Sequence, residues 1–134
     1  MSTVFTKIAK GELPSYKVAE SPDYYAFLDL SPLTVGHTLV IPKHTEEDYF
    51  FHLDEPTYAG LCIFARKVAL AIQKAIPCKR VGVAVLGMEV PHSHIHLVPL
   101  RHESDMDFSR PRLSLTEEEM KGVANSIFAE YEKL

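Results

Sequence analysis

Hydrophobic and polar positions change their period along this chain. Early on, YKVAES, YYAFLDL and HTLVIP are short, rich in aromatic and β-branched residues, and separated by SPD and SPLTVG, whose Pro, Asp and Gly supply turn chemistry. They predict three strands in an antiparallel meander. After Asp54 the period lengthens: Leu61, Phe64, Ala65, Val68, Ala69, Ile72 and Ile76 follow the i, i+3, i+4, i+7 spacing of a helix with one face in a core. Asp54 is its expected N-cap and Pro77 its stop. VGVAVL and VPHSHIHLVPL read as two more strands, with Pro91 and Pro99 tolerated near strand ends or on an edge.

Helices are expected at both ends. Val4 to Lys10 suits a short one closed by Gly11. A terminal helix should begin near Ser114 or Thr116, because Thr116 and Glu119 have capping-box spacing and Met120, Val123, Ala124, Ile127 and Tyr131 mark one face. The order predicts an α+β fold: a mainly antiparallel five-stranded sheet with the long helix packed on it and a C-terminal helix. Between the last strand and that helix, RHESDMDFSRPR shows no periodicity. It suits a functional loop or an arm toward a partner subunit, and equally a plain surface loop.

Composition narrows the function classes. At 134 residues, 46% hydrophobic and 24% charged, the chain suits one globular domain with a real core. Its formal charge of −4, with no Lys/Arg run longer than a pair, gives no basis for binding a nucleic-acid polymer. The first residues lack an apolar core of signal-peptide length, and no apolar run is long enough to span a bilayer, so no membrane association and a cytoplasmic location are expected. Cys62 and Cys78 form no C-x-x-C pattern and read as ordinary residues.

The candidate chemistry sits in VPHSHIHLVPL. On a strand, His92, His94 and His96 would point to one face and Ser93, Ile95 and Leu97 to the other. At a rise of about 3.3 Å per residue the outer two Cα atoms stand about 13 Å apart, too far for one ion to take all three imidazoles at Zn–N bonds of about 2.0–2.1 Å. A metal site would need another ligand, such as His37, His44 or Glu89. A row of imidazoles also suits covalent phosphate chemistry, since a neutral imidazole is a nucleophile near pH 7 and its neighbours can hydrogen-bond phosphate oxygens. A purely structural row would require a hydrogen-bond partner for each buried ring.

His92-Ser93-His94-Ile95-His96-Leu97-Val98 resembles the His-x-His-x-His-x-x motif of the histidine triad family, and Gly87, Val90 and Pro91 fit the residues leading into it. VFTKIAKGELPSYKV and YYAFLDLSPLTVGHTLVIPKH are similar to the family in the same order, extending the resemblance over about residues 4 to 101. It implies residues 1–110 as the motif-bearing domain, with 111–134 a helical extension of it. It also implies a homodimeric nucleotide hydrolase or transferase that cleaves nucleoside 5′-phosphoramidates or related purine nucleotide derivatives, including those of AMP, without cofactor or metal. His94 would be the nucleophile, His96 would contact the α-phosphate, His92 would fix the row and His37 would buttress it. Asp29 would bind the ribose hydroxyls, and Val4, Phe5, Ile8, Phe27 and Leu30 would wall the base pocket, although the apolar five also read as ordinary core.

Three departures qualify this reading. Where many relatives carry Gln and then Ser, Thr or Glu after the glycine, Gly87 is followed by Met88 and Glu89. Met88 donates no hydrogen bond, and Glu89 would need a raised pKa to act as a proton donor. RVGVAVLG lacks the asparagine many relatives carry. Thr3 and Thr6 stand where some bacterial relatives hold structural zinc with two cysteines, leaving His44 to cap or pack near a strand end. A nucleotide-binding module with weak catalysis and a metal-dependent hydrolase therefore remain as alternatives.

Overall fold

The computed structural model describes residues 3–134. The elements are α1 (Val4–Ala9), β1 (Lys17–Glu20), β2 (Tyr24–Leu28), β3 (Thr38–Pro42), α2 (Glu55–Ala75), β4 (Arg80–Ala84), β5 (Ile95–Leu100) and α3 (Glu117–Glu132). Local chemistry accounts for their ends. The Asp54 carboxylate accepts the Thr57 N–H at 2.8 Å and starts α2. Its helical backbone ends at Ala75 because Pro77 forces Ile76 into an extended conformation, φ −115 and ψ 125. Thr116 and Glu119 form the expected reciprocal capping box at α3.

Five strands form one antiparallel sheet in the order β1-β2-β3-β5-β4. The connection through α2 carries the chain from β3 past β5 to β4 and lays the helix on one face of the sheet. There Leu61, Val68 and Ile72 of α2 meet Val40, Ile95 and Leu97 of the sheet. Met120, Ala124 and Ile127 of α3 complete this core, with α3 resting on α2 and β1. Strand alternation turns Tyr25, Phe27, Leu39 and Ile41 to the opposite face, where Phe5 of α1 joins them in a smaller cluster.

The histidine strand departs from expectation. Only Ile95–Leu100 belongs to the ladder, so His96 lies in β5 whereas His92 and His94 lie in the segment entering it. Pairing with β3 stops at Val40 opposite Ile95. Upstream, Pro91 has no N–H, and the N–H and hydroxyl of Ser93 are taken by the Glu47 carbonyl at 3.0 and 2.7 Å. Pro99 is compatible with an inner strand because β3 pairs only as far as Leu97, leaving β4 as its single neighbour. RHESDMDFSRPR also acquires structure, a short 3₁₀ turn over Glu103–Met106 held by the Asp105 carboxylate.

Candidate active site

His37 begins the site. It follows the SPLTVG turn, in which Gly36 has φ +97, a conformation L side chains rarely adopt, and little room for one, since a Cβ would lie 3.0 Å from an Ile76 methylene carbon and 3.1 Å from Pro99. The turn sets His37 Nδ1 3.0 Å from the Leu33 N–H. That nitrogen therefore accepts, and Nε2 carries the proton it donates to His96 Nδ1 at 3.0 Å. His96 in turn carries its proton on Nε2.

His92 and His94 are oriented by the same logic. His92 Nε2–H donates to the Pro42 carbonyl at 3.1 Å, leaving Nδ1 to accept from the hydroxyls of Thr3 and Thr6, 3.0 and 3.2 Å away. The His92 carbonyl receives the Nδ1–H of His94 at 2.7 Å. His94 Nε2 is thus left with a lone pair. The Phe5 ring stands edge-on to His94 at 5.1 Å and fixes its tilt, and the His94 and His96 rings lie 4.9 Å apart.

Burial holds all four rings below the ordinary imidazole value of 6.5, to about 3 for His37 and about 4 for His96. For His94 the bond to the His92 carbonyl and the charges of Asp29 and Glu89 oppose that shift. At neutral pH the site offers an unprotonated nitrogen on His94 and a neutral N–H donor on His96.

A cavity of about 730 Å³ opens over His94 and His96. Val4, Phe5, Ile8, Phe27 and Leu30 line it, with Asp29 beside them and Gly87 and Glu89 on the rim. The two readings of the apolar residues divide: Phe5 and Phe27 belong to the small cluster as well as the wall, whereas Val4 and Leu30 are exposed. His37 and His92 are fully buried and stand behind the lining. Gly87 takes φ +71 at the rim, a conformation suited to glycine, and Met88 beside it is 88% exposed.

The sequence profile of the HIT domain matches residues 10–103. The chain belongs to the histidine triad family. An uncharacterized HIT-like protein of Borreliella burgdorferi is 35% identical over 132 residues, covering 92% of this chain and 94% of that one. The adenosine 5′-monophosphoramidase hnt1 of Schizosaccharomyces pombe is 32% identical over 134 residues, covering 95% and 96%. Among solved structures, a zinc-bound histidine triad family protein of Mycobacterium smegmatis superposes with a TM-score of 0.82 at 27% identity, covering 99% of this chain and 95% of that one.

Thr3 and Thr6 orient His92, while His44 is exposed and contacts the Pro22 carbonyl at 2.9 Å and Asp23 at 3.2 Å. Asp29, His37 and His96 bring one potential ligand atom each within 4.8 Å of one another. Their hydrogen bonds oppose coordination. A metal on His37 Nε2 would require the proton on Nδ1, which already faces the Leu33 N–H, so donor would meet donor.

The segment after β5 supplies residues that the pattern did not single out. Phe108, Arg110 and Arg112 line the cavity of their own chain. The Phe108 ring lies 4.9 Å from His96, and the Arg112 guanidinium covers Phe108 at 5.6 Å. RHESDMDFSRPR is therefore a strap across the site. Its signal was an aromatic residue and two arginines in a long polar stretch directly after the histidine strand.

Proposed function

We propose that this protein is a metal-independent nucleoside 5′-phosphoramidase, or a hydrolase of closely related nucleotidyl substrates, working through a nucleotidyl-His94 intermediate. The observation that carries the reading is the 2.7 Å bond from His94 Nδ1–H to the His92 carbonyl, which leaves the Nε2 lone pair available. In the first step His94 Nε2 attacks the α-phosphorus, the P–N bond of the substrate breaks, and the amine leaves with a proton from solvent. In the second, water attacks phosphorus and gives up a proton to solvent, the P–Nε2 bond breaks to return neutral His94, and the nucleoside monophosphate departs. His96 Nε2–H donates to a non-bridging oxygen, and Asp29 receives the ribose hydroxyls while Phe5 and Phe27 hold the base. His37 and His92 act one bond back by fixing the tautomers.

Incubation with adenosine 5′-phosphoramidate tests this. Turnover insensitive to chelator in the wild type and absent in His94→Ala is expected, with the 5′-nucleotidyl group trapped on His94. Chelator-sensitive turnover would instead indicate a metal-dependent hydrolase. Met88 favours one alternative, a binding module with weak catalysis, since its thioether supplies no donor to a leaving group. AMP binding without turnover would identify it.

The active form is read as a homodimer. β4 is an edge strand with Val83 exposed, and the exposed Leu70 of α2 lines a second cavity with it. Pairing two copies there would cover these residues and extend the sheet. Light scattering should give twice the chain mass. Among the described residues no helix is long and apolar enough to cross a membrane, and both cysteines are free, which suits the cytoplasm.

A further inference from the structure

The two arginines lining the cavity are placed differently. Arg110 binds the Ser104 carbonyl at 2.9 Å and the Asp105 carboxylate at 3.0 Å, so its charge is spent within the strap. Arg112 reaches across to another part of the chain. Its Nη1 donates to the Ser31 carbonyl at 2.6 Å and stands 3.8 Å from Asp29 Oδ2, while its guanidinium covers Phe108. The Leu113 N–H ties the strap to the Pro32 carbonyl at 2.9 Å and fixes this reach.

Asp29 needs such a partner. Its side chain is only 18% exposed, and a carboxylate withdrawn from water without compensation is costly and tends to protonate. One oxygen, Oδ1, accepts the Ser31 N–H at 2.8 Å. The other, Oδ2, has its nearest cationic or imidazole nitrogens at 3.7 Å (His37) and 3.8 Å (Arg112), beyond hydrogen-bond length. Arg112 thus balances the charge of Asp29 without occupying the acceptor sites of Oδ2, because the Ser31 carbonyl holds the guanidinium back.

The geometry points to Arg112 as a specificity-determining positioning residue: it keeps Asp29 an ionised, open acceptor, so the site selects nucleotides with a free ribose 2′,3′-diol. The inference rests on the proposed contact of Asp29 with ribose and extends it to the strap. A protonated Asp29 would lose acceptor capacity and meet hydroxyl donors less well. The other charged or titratable groups facing Asp29 are His37, His94, His96 and Glu89. On balance the Asp29 carboxyl is held above the ordinary carboxylate value: burial, with Glu89, pushes it up, and the Ser31 N–H, Arg112 and His94 only partly pull it back. Removing Arg112 should therefore move the loss of ribose selection to higher pH.

The full chain and its Arg112→Met, Arg112→Lys, Asp29→Asn and Arg112→Met/Asp29→Asn variants should be assayed with adenosine 5′-phosphoramidate and its 2′-deoxy and 3′-phospho analogues. Binding of the matching monophosphates should be measured in parallel. Arg112→Met is expected to lower kcat/KM for the ribose substrate about tenfold, the scale of a hydrogen bond to a charged acceptor, and to lower it less for the 2′-deoxy substrate, which keeps only the 3′-hydroxyl. Arg112→Lys should restore part of the preference, and the effect of Arg112→Met should vanish on the Asp29→Asn background. The acid limb of the ribose preference should begin at higher pH in Arg112→Met. Equal losses on both sugars, additivity with Asp29→Asn, or a 3′-phosphate that tightens binding through Arg112 would each overturn the inference. Absence of both turnover and AMP binding in the wild type would instead remove the functional reading beneath it.

Discussion

The two faces of the sheet are built from alternate residues of the same strands and have opposite tasks. On the helix face, Val40, Ile95 and Leu97 are sealed under α2 and α3 by apolar contact alone. On the other, Leu39 and His96 share a surface covered only in part by α1 and the strap, and a cavity remains. One face derives stability from area removed from water; the other must satisfy the buried ring nitrogens while leaving Nε2 of His94 and of His96 open to the cavity. Among the described residues no buried side-chain nitrogen or oxygen is left without a partner. The contrast teaches that the histidine face is orientation built into a small core, so damage there should appear in chemistry before stability.

Substitutions can break that division. His94→Ala should lower kcat by at least about 10³-fold, or about 4 kcal/mol of barrier, with little change in thermal midpoint; near-wild-type turnover would sink the nucleophile assignment. Ile72→Ala removes a fully buried side chain from the helix face and should cost about 2–5 kcal/mol in denaturant unfolding, while activity per folded molecule is retained. A large fall in kcat there would mean the two faces are not separable.

Intermediate effects should come from the relay. His37→Ala leaves His96 Nδ1 and the Leu33 N–H without their partners and should lower kcat/KM about 10–100-fold, a cost of about 1–3 kcal/mol. His37→Gln, able to accept and donate, should recover part of it. Acid should act on the same rings. His37 and His96 are held to about 3 and about 4, well below the ordinary 6.5, so the unfolded chain binds protons before the folded one does. Their contribution to stability is complete above about pH 6.5 and declines as pH falls from there toward 4, by up to about 1.4 kcal/mol per pH unit for each ring. Denaturant midpoints that stay constant from pH 7 to 4.5 would show that these rings protonate without cost. The smallest effect is on a helix end: Thr116→Ala should cost about 1 kcal/mol and leave turnover unchanged.

Much of this molecule was legible in particular residues. Asp54 and Pro77 bracketed α2, and Thr116 with Glu119 marked α3, because caps and stops act within a few residues. The spacing of His92, His94 and His96 identified the chemistry, but a uniform strand was the wrong support for it. Which residues enter a ladder depends on contacts far along the chain: β3 runs on to Pro42, yet its pairing stops at Ile95 because the Glu47 carbonyl takes the Ser93 N–H. Phe108 and Arg112 were hidden for a related reason: a loop without periodicity does not tell which distant carbonyl, here that of Ser31, will receive its arginine.

By itself the sequence determined the element order, the two apolar faces and the identity of the histidines, since periodicity, capping and residue chemistry are local. Tertiary structure decided the tautomers of His92 and His96, whereas those of His37 and His94 are set by partners within four residues. The Pro42 carbonyl and the Thr3 and Thr6 hydroxyls dictate where the His92 proton sits, and His96 takes its tautomer from His37; these bonds join segments that only the folded sheet brings within 3 Å or slightly more. A hydrogen bond is decided by tenths of an ångström, and chain spacing cannot convey that.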